Sequence, residues 1–388
     1  MKILQTMPCR VKSYQSTLEG FNITDTYLIS FNDICVGGRN ILVPAGYADD
    51  VGSFLYIPFL SNLFDQTIEN TTIYFFSFYG IICIFLSLVG LYKFYNSKLA
   101  KIHGTLAITI VGTLCIFISD TYCFYGLTSL ALITWWSKIS IFSKANYKKF
   151  FVFFIFTGIL IAFSNTVRQN SGNDILLSII FLIILGSVKS KNFTKLYIIL
   201  LILTPILLIN HQIDYLKNKS RNYLINNTNV QKTHDLNFVR PNWHNAYYSL
   251  GYLSIDSKNV PELSDSFSVK KAQEIKPDVI PTSKEYEKIL MNEYFKFVKK
   301  HPFLYIQIEI SKASVILFYI ILFFNIGIYY LYKNKFSLET MIFFIPGIIF
   351  NSLFGLATEP SYTYLLGLFA YSSLFTTKLI EDDFTKSS

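Results

Sequence analysis

Charge is scarce in this sequence. Only 15% of its 388 residues are Asp, Glu, Lys or Arg, where a soluble domain carries about 25%, and 52% are hydrophobic. With a mean hydropathy of +0.40, water is not the main solvent of the chain. Cysteine is sparse as well: Cys9, Cys35, Cys83, Cys115 and Cys123 are odd in number and show no metal-ligand spacing. Three of them fall in or beside apolar runs, so they read as packing residues rather than redox or metal groups. No Gly-rich phosphate loop, HExxH, paired CxxC or GxSxG occurs, which leaves soluble nucleotide hydrolysis, zinc proteolysis and serine hydrolysis without support.

What the chain has instead is a series of long apolar runs. Candidate spans cover 72–92, 104–123, 125–141, 150–164, 175–188, 196–210, 314–332, 338–356 and 362–379. Several are shorter than the ~20 residues that cross a hydrocarbon core, so they are expected to tilt or to extend into their flanks. The fold class expected is an all-α polytopic membrane protein with about nine transmembrane helices and a large outer-face loop domain. The basic excess, 34 Lys plus Arg against 25 Asp plus Glu, is gathered in short turns between apolar runs, so nucleic acid is not the expected partner. Lys93, Lys98 and Lys101, then Lys138, Lys144, Lys148 and Lys149, then Lys189, Lys191 and Lys195, and finally Lys333 and Lys335 follow alternate spans. Short Lys-rich turns stay cytoplasmic.

That topology divides the chain into four parts. Residues 1–70 form a polar N-terminal segment and first outer loop, 71–210 hold six spans, 211–301 form an outer loop domain, and 302–388 hold three spans and a short cytoplasmic tail. Within 1–70 the run 27–43 is interrupted by Asn32, Asp33, Gly37, Gly38, Arg39 and Asn40, too polar to cross. The alternation of Lys-rich turns places the first loop outside, so either this polar tail is translocated behind the first span, or the start differs from an ancestral one, or the segment is degenerate. The loop domain reads as Pro-punctuated loops followed by an amphipathic helix over 282–300, with Thr282 and Glu285 as a capping box and Tyr286, Ile289, Leu290, Tyr294, Phe297 and Val298 at helical spacing. That apolar face suits a membrane surface and a packed loop domain equally well.

Three constellations could carry chemistry. Asp49 and Asp50, close to Tyr47, Tyr56 and Pro58, are paired carboxylates able to deprotonate a hydroxyl or hold a divalent cation; a solvated turn would look the same. Arg240, Asn242, Trp243, His244, Asn245, Tyr247, Tyr248 and Tyr252 mix a cation, amides and rings, as sugar stacking and phosphate neutralisation require, or as a packed aromatic knot does. Lys299, Lys300, His301 and Pro302 lead into Glu309 and Lys312, charges that grip a lipid-linked phosphate or neutralise each other. Arg168 in an outer loop, and Glu359 with Tyr362 and Tyr364 in another, are weaker candidates.

Taken together, the acidic pair Asp49 and Asp50, then Trp243 and His244 near Leu250 and Gly251, then Glu285, Tyr286 and Glu287, and His301-Pro302 just before a span, resemble bacterial membrane proteins related to the GT-C glycosyltransferases. The resemblance runs from about residue 47 to 364. It implies a transferase that takes a sugar from a polyprenyl-phosphate carrier to a glycan, lipid or protein acceptor on the outer face of a bacterial inner membrane. Asp49 or Asp50 would be the catalytic carboxylate, with Mg or Mn at the pair as a candidate cofactor. His244, Arg240 or His301 would stabilise the departing lipid phosphate, and Trp243, Tyr247 and Lys312 complete the expected substrate-binding set. Two further readings share the topology: an O-antigen-type polymerase or ligase, which relies on Arg and His, and a lipid-linked glycan transporter or flippase, with Pro205 and Pro346-Gly347 as helix interruptions but no evident inverted repeat.

Overall fold

The computed structural model describes residues 14–15, 30–32, 42–44, 51–118, 120–138, 150–191, 193–227, 242–253, 261–279, 281, 283–333 and 338–387. Two short strands, β1 (Ser30–Asn32) and β2 (Leu42–Pro44), pair antiparallel. Every other element is helical. Helix α1 (Val51–Phe64) precedes α2 (Ile68–Phe94), whose start is capped by the Thr67 side chain accepting from the Asn70 N–H at 3.3 Å. There follow α3 (Lys98–Ile118), α4 (Phe124–Trp136), α5 (Phe151–Val167), α6 (Asn173–Ser190) and α7 (Tyr197–Asn227).

Six described helices are long and apolar enough to cross a membrane: α2, α3, α6, α7 over Tyr197–Leu216, α11 (Pro302–Phe324) and α13 (Leu338–Ala357). At a rise of about 1.5 Å per residue, α2 extends about 40 Å, more than the ~30 Å hydrocarbon thickness. The protein is thus helical and polytopic. The run expected over 314–332 is divided, because α11 starts at Pro302 and ends at Asn325, whose φ of 35° leads into the short α12 (Gly327–Lys333). Asn tolerates that left-handed region better than most residues. Neither Pro205 in α7 nor Pro346 in α13 divides its helix.

The centre of the bundle belongs to α4 and α14 (Leu366–Ser387). All of α4 except Trp135 is buried, and so is every residue from 365 to 381. A helix apolar on all sides must be enclosed by other helices, and α14 packs against α3, α4, α11 and α13. At 13 residues α4 reaches only about 20 Å. Where α5 meets α7, Gly158 brings the backbones so close that a Cβ would strike the Ile202 carbonyl. Cys83, Cys115 and Cys123 are free thiols inside this core.

Hydrogen bonds define two ends. At one, the Glu381 carboxylate accepts from the backbone N–H of Asn96 (3.0 Å) and Ser97 (2.9 Å) and from the Lys138 ammonium (2.9 Å). Asp382 beside it accepts from Thr340 at 2.9 Å, and Asp383 from Lys333 at 3.0 Å. The turns after α2, α4 and α12 and the start of α13 therefore meet here. At the other end, Tyr56 of α1 lies 3.1 Å from the Thr166 hydroxyl at the close of α5 and stacks on Phe163.

A small domain covers that second end. It comprises α8 (Asn242–Tyr248), a 3-10 turn over Ser249–Leu253, α9 (Asp265–Ile275) and α10 (Lys284–Lys300). Tyr286, Leu290 and Phe297 on the apolar face of α10 join Tyr247, Leu250, Ala272 and Ile308 in one core. The amphipathic face is thus spent inside the domain. The cap of α10 is Ser283, accepting from the Tyr286 N–H at 3.1 Å. Thr282 lies outside the described residues, and Glu285 pairs with Lys276 at 2.7 Å, not with its own helix start.

Candidate functional site

Between the covering domain and the helix ends lies a cavity of about 760 Å³. Its floor comes from the turn joining α5 to α6. Asn170 (φ 69°) and Gly172 (φ 81°) take left-handed conformations there, and the Asn165 side chain accepts from the Asn170 N–H at 3.0 Å. That geometry requires residues such as Asn and Gly, and it directs Arg168 into the cavity wall.

Arg168 is 8% exposed. It lies 4.2 Å from the Tyr122 ring centroid and 5.6 Å from that of Tyr125, and its Nε donates to the Tyr125 hydroxyl at 3.1 Å. Tyr125 in turn donates to the Gln169 carbonyl at 3.1 Å. Aromatic faces hold a cation without cancelling its charge, a contact worth up to about 2 kcal/mol when desolvated. Tyr364, on the same wall, lies 3.3 Å from the Tyr122 hydroxyl. Burial first, then the neighbouring Tyr122 and Tyr248 hydroxyls, raise its pKa far above the ordinary range, so it stays a neutral phenol.

The opposite wall comes from α8. Its first N–H groups have no intrahelical acceptors, and Glu287 of α10 supplies them: Oε2 accepts from the Trp243 N–H at 2.7 Å and Oε1 from His244 N–H at 3.2 Å. Burial raises the Glu287 pKa, with these N–H groups opposing it. Seated in this way, α8 presents Asn242, Trp243 and Asn245 to the cavity. Trp243 is braced by Tyr294 and Phe295 at centroid distances of 5.7 and 5.3 Å.

Glu309 of α11 is the cavity's carboxylate. Behind it Lys312, 1% exposed, donates to Glu309 at 3.0 Å, to the Ser249 hydroxyl at 3.1 Å and to the Leu356 carbonyl at 3.2 Å. An ammonium has three donors, and each is used. Lys312 therefore joins α11, the covering domain and the end of α13 at one point.

Of the residues expected from sequence, Trp243 lines the cavity and Lys312 supports its wall. His244 does not line it: Nδ1 lies 2.5 Å from the Tyr286 hydroxyl and Nε2 2.9 Å from Asp265, so both ring nitrogens hold the domain together. Tyr247 stacks on Phe267 in the domain core, where burial pushes its phenol up to about 12. His301 ends α10 with its ring on Phe297, 5.3 Å away, apart from the cavity walls. Asp49, Asp50 and Arg240 lie outside the described residues. Among those described, no three His, Cys, Asp or Glu side chains converge to hold a metal ion.

Arg168, Glu309, Asn242 and Asn245, which the sequence offered only as weaker candidates or as members of wider constellations, also line the cavity. Their sequence signal was slight: Arg168 is an arginine in a chain whose turn cations are mostly lysine, placed in a Lys-poor loop. Comparison with known proteins finds no match, either to a family model, to a curated protein or to a solved structure.

Proposed function

We propose that this protein is a membrane glycosyltransferase that moves a sugar from a polyprenyl-phosphate carrier to a cell-envelope glycan, lipid or protein acceptor, working at the cavity on the outer face of a bacterial plasma membrane. In this reading α4 together with the 3-10 turn that leads into it, α5 and α14 cross alongside the six helices named above, making nine crossings. One observation carries the proposal: a cavity beside the helix ends that combines a buried arginine with a tryptophan face and two amides. Those are the groups that neutralise a phosphate, stack on a sugar ring and bridge its hydroxyls.

The acceptor hydroxyl attacks the anomeric carbon and the bond from that carbon to the phosphate oxygen breaks. The hydroxyl proton passes to a carboxylate, and the lipid phosphate leaves with its negative charge against Arg168. Two carboxylate sources suit this step. Asp49 and Asp50 immediately precede α1, where Gly52 packs so closely on Thr166, two residues before Arg168, that a Cβ would lie 2.7 Å from the Thr166 hydroxyl. Glu309 stands in the cavity wall itself. No metal is assigned a step, since the described donors form no cation cage.

The second reading, an O-antigen-type polymerase or ligase, is favoured by Arg168, because that class works through arginine rather than a first-loop carboxylate. Transfer of label from polyprenyl-phosphate-linked [14C]hexose in vesicles tests both. The glycosyltransferase reading expects wild-type transfer, and its loss in Arg168→Gln and in Asp49→Asn or Asp50→Asn. Transfer lost in Arg168→Gln but intact in both Asp variants and in Glu309→Gln favours the polymerase. Transfer unaffected by all four removes the site. Sidedness is tested at Gln66→Cys, an exposed position, in a chain carrying Cys9→Ser and Cys35→Ser. Labelling by a membrane-impermeant thiol reagent in intact cells is expected, and protection overturns the outer-face placement.

A further inference from the structure

A second concavity lies at the opposite end of the bundle and takes no part in the proposed transfer. Helices α2 and α5 meet near the first cavity, where the Tyr79 and Ser164 hydroxyls are 2.7 Å apart. Towards the lysine-bearing end Trp135 of α4 comes between them, with its ring 5.3 Å from Phe94 of α2 and 5.6 Å from Phe153 of α5. The two helices are wedged apart, and a groove of about 520 Å³ opens over α4. That lies within the ~300–1,000 Å³ range of small-molecule sites. Trp135 is the one α4 residue not buried, and it forms the groove floor with Leu132.

Among the described residues the groove walls are apolar except at one place. Lys93 lines the groove, exposed to solvent, with its ammonium 5.4 Å from the Phe94 centroid and 5.5 Å from that of Trp135. The Trp135 indole N–H is already committed to the Leu86 carbonyl at 2.9 Å, so the ring holds its place. An apolar channel flanked by a membrane-spanning helix and bearing one cation matches a molecule with a hydrocarbon chain and an anionic head. Tryptophan and lysine are also the residues that settle at the level of lipid headgroups. We propose that this groove binds one anionic phospholipid of the surrounding bilayer, with an acyl chain along Leu132 and Phe156 and the phosphate at Lys93.

Native mass spectrometry of the full chain in mild detergent, with equimolar phosphatidylglycerol and phosphatidylcholine of matched chains, tests this. Phosphatidylglycerol should be retained about fivefold over phosphatidylcholine, the preference that one lysine near an anionic headgroup confers. Lys93→Gln should bring retention down to the phosphatidylcholine level, whereas Lys98→Gln, at an exposed position outside the groove, should leave it unchanged. Val152→Trp, at a groove position 77% exposed and hence tolerant of substitution, should displace both lipids. Equal retention of the two lipids by the wild type, retention of neither, or loss of the preference in Lys98→Gln but not in Lys93→Gln overturns the proposal.

Discussion

Two buried polar clusters in this protein use similar residues to opposite ends. Deep between α4, α6 and α13, the Asp174 carboxylate accepts from the Ser129 hydroxyl at 2.6 Å, from Asn351 at 3.0 Å and from the Ile175 N–H at 2.8 Å, while Asn351 also donates to the Gly347 carbonyl at 2.8 Å. Among the described residues, neither Asp174, Ser129 nor Asn351 lines the cavity that Arg168 lines. At the end of α5, Arg168 is as well buried but is held by aromatic rings and opens onto about 760 Å³ of space. A closed cluster joins helices, because each buried polar group has its partner. The other cluster borders space that a ligand can enter. The difference teaches that burial alone does not separate a residue that joins helices from one that borders a cavity.

Breaking the open cluster should have the largest effect. Arg168→Gln is expected to lower sugar transfer by about 10²–10³-fold, the range seen when one donor to a developing charge is removed. Arg168→Lys should recover only part of it, since an ammonium lacks the planar fork. The same measurement on Asp174→Asn should show near-normal transfer and a lower thermal midpoint. If Asp174→Asn abolishes transfer without loss of stability, the comparison fails.

Next in size is the joint between the two walls. Lys312→Met leaves Glu309 without its partner in a half-buried site and removes the link to Ser249 and Leu356, at about 3 kcal/mol. Denaturant or thermal melts should register that loss. The double variant Lys312→Met/Glu309→Leu should regain much of it, because no uncompensated charge then remains. Failure of the double variant to improve on the single one would show that Lys312 acts through Ser249 and Leu356 alone.

Asp174→Asn sharpens the closed side of the comparison. One acceptor oxygen becomes a donor facing Ser129 or Asn351, at about 1–3 kcal/mol. The smallest expected effect concerns pH. Burial raises the Glu287 pKa above its ordinary value of 4.5, so the folded domain binds that proton more tightly than the unfolded chain. Its contribution to stability is therefore fullest at low pH, falls as pH rises from about 4.5 to the raised folded value, and is constant above it. Trp243 fluorescence followed during unfolding across that window should report the slope, and Glu287→Gln should flatten it.

Membrane class, the apolar runs and the long polar segment before residue 301 were legible because hydropathy is a property of each segment alone. The capping and periodicity of α10 were legible to within one residue, Ser283 in place of Thr282. His244 and Tyr247 were misleading for a physical reason: a dense knot of rings and polar groups has the same composition whether it faces a substrate or its own core. The contacts of His244 with Tyr286 and Asp265 depend on three helices meeting.

By itself the sequence determined that the chain is an integral membrane protein with a long polar segment between two sets of apolar runs, since about 20 consecutive apolar residues have few other stable destinations. Only the tertiary structure decided which charges share a site. Arg168, Trp243 and Glu309 stand in different elements of the chain and meet through the α5–α6 turn, the Glu287 cap of α8 and the Lys312 joint. Each of these is an interaction between segments, and hydropathy read along one segment carries no information about it.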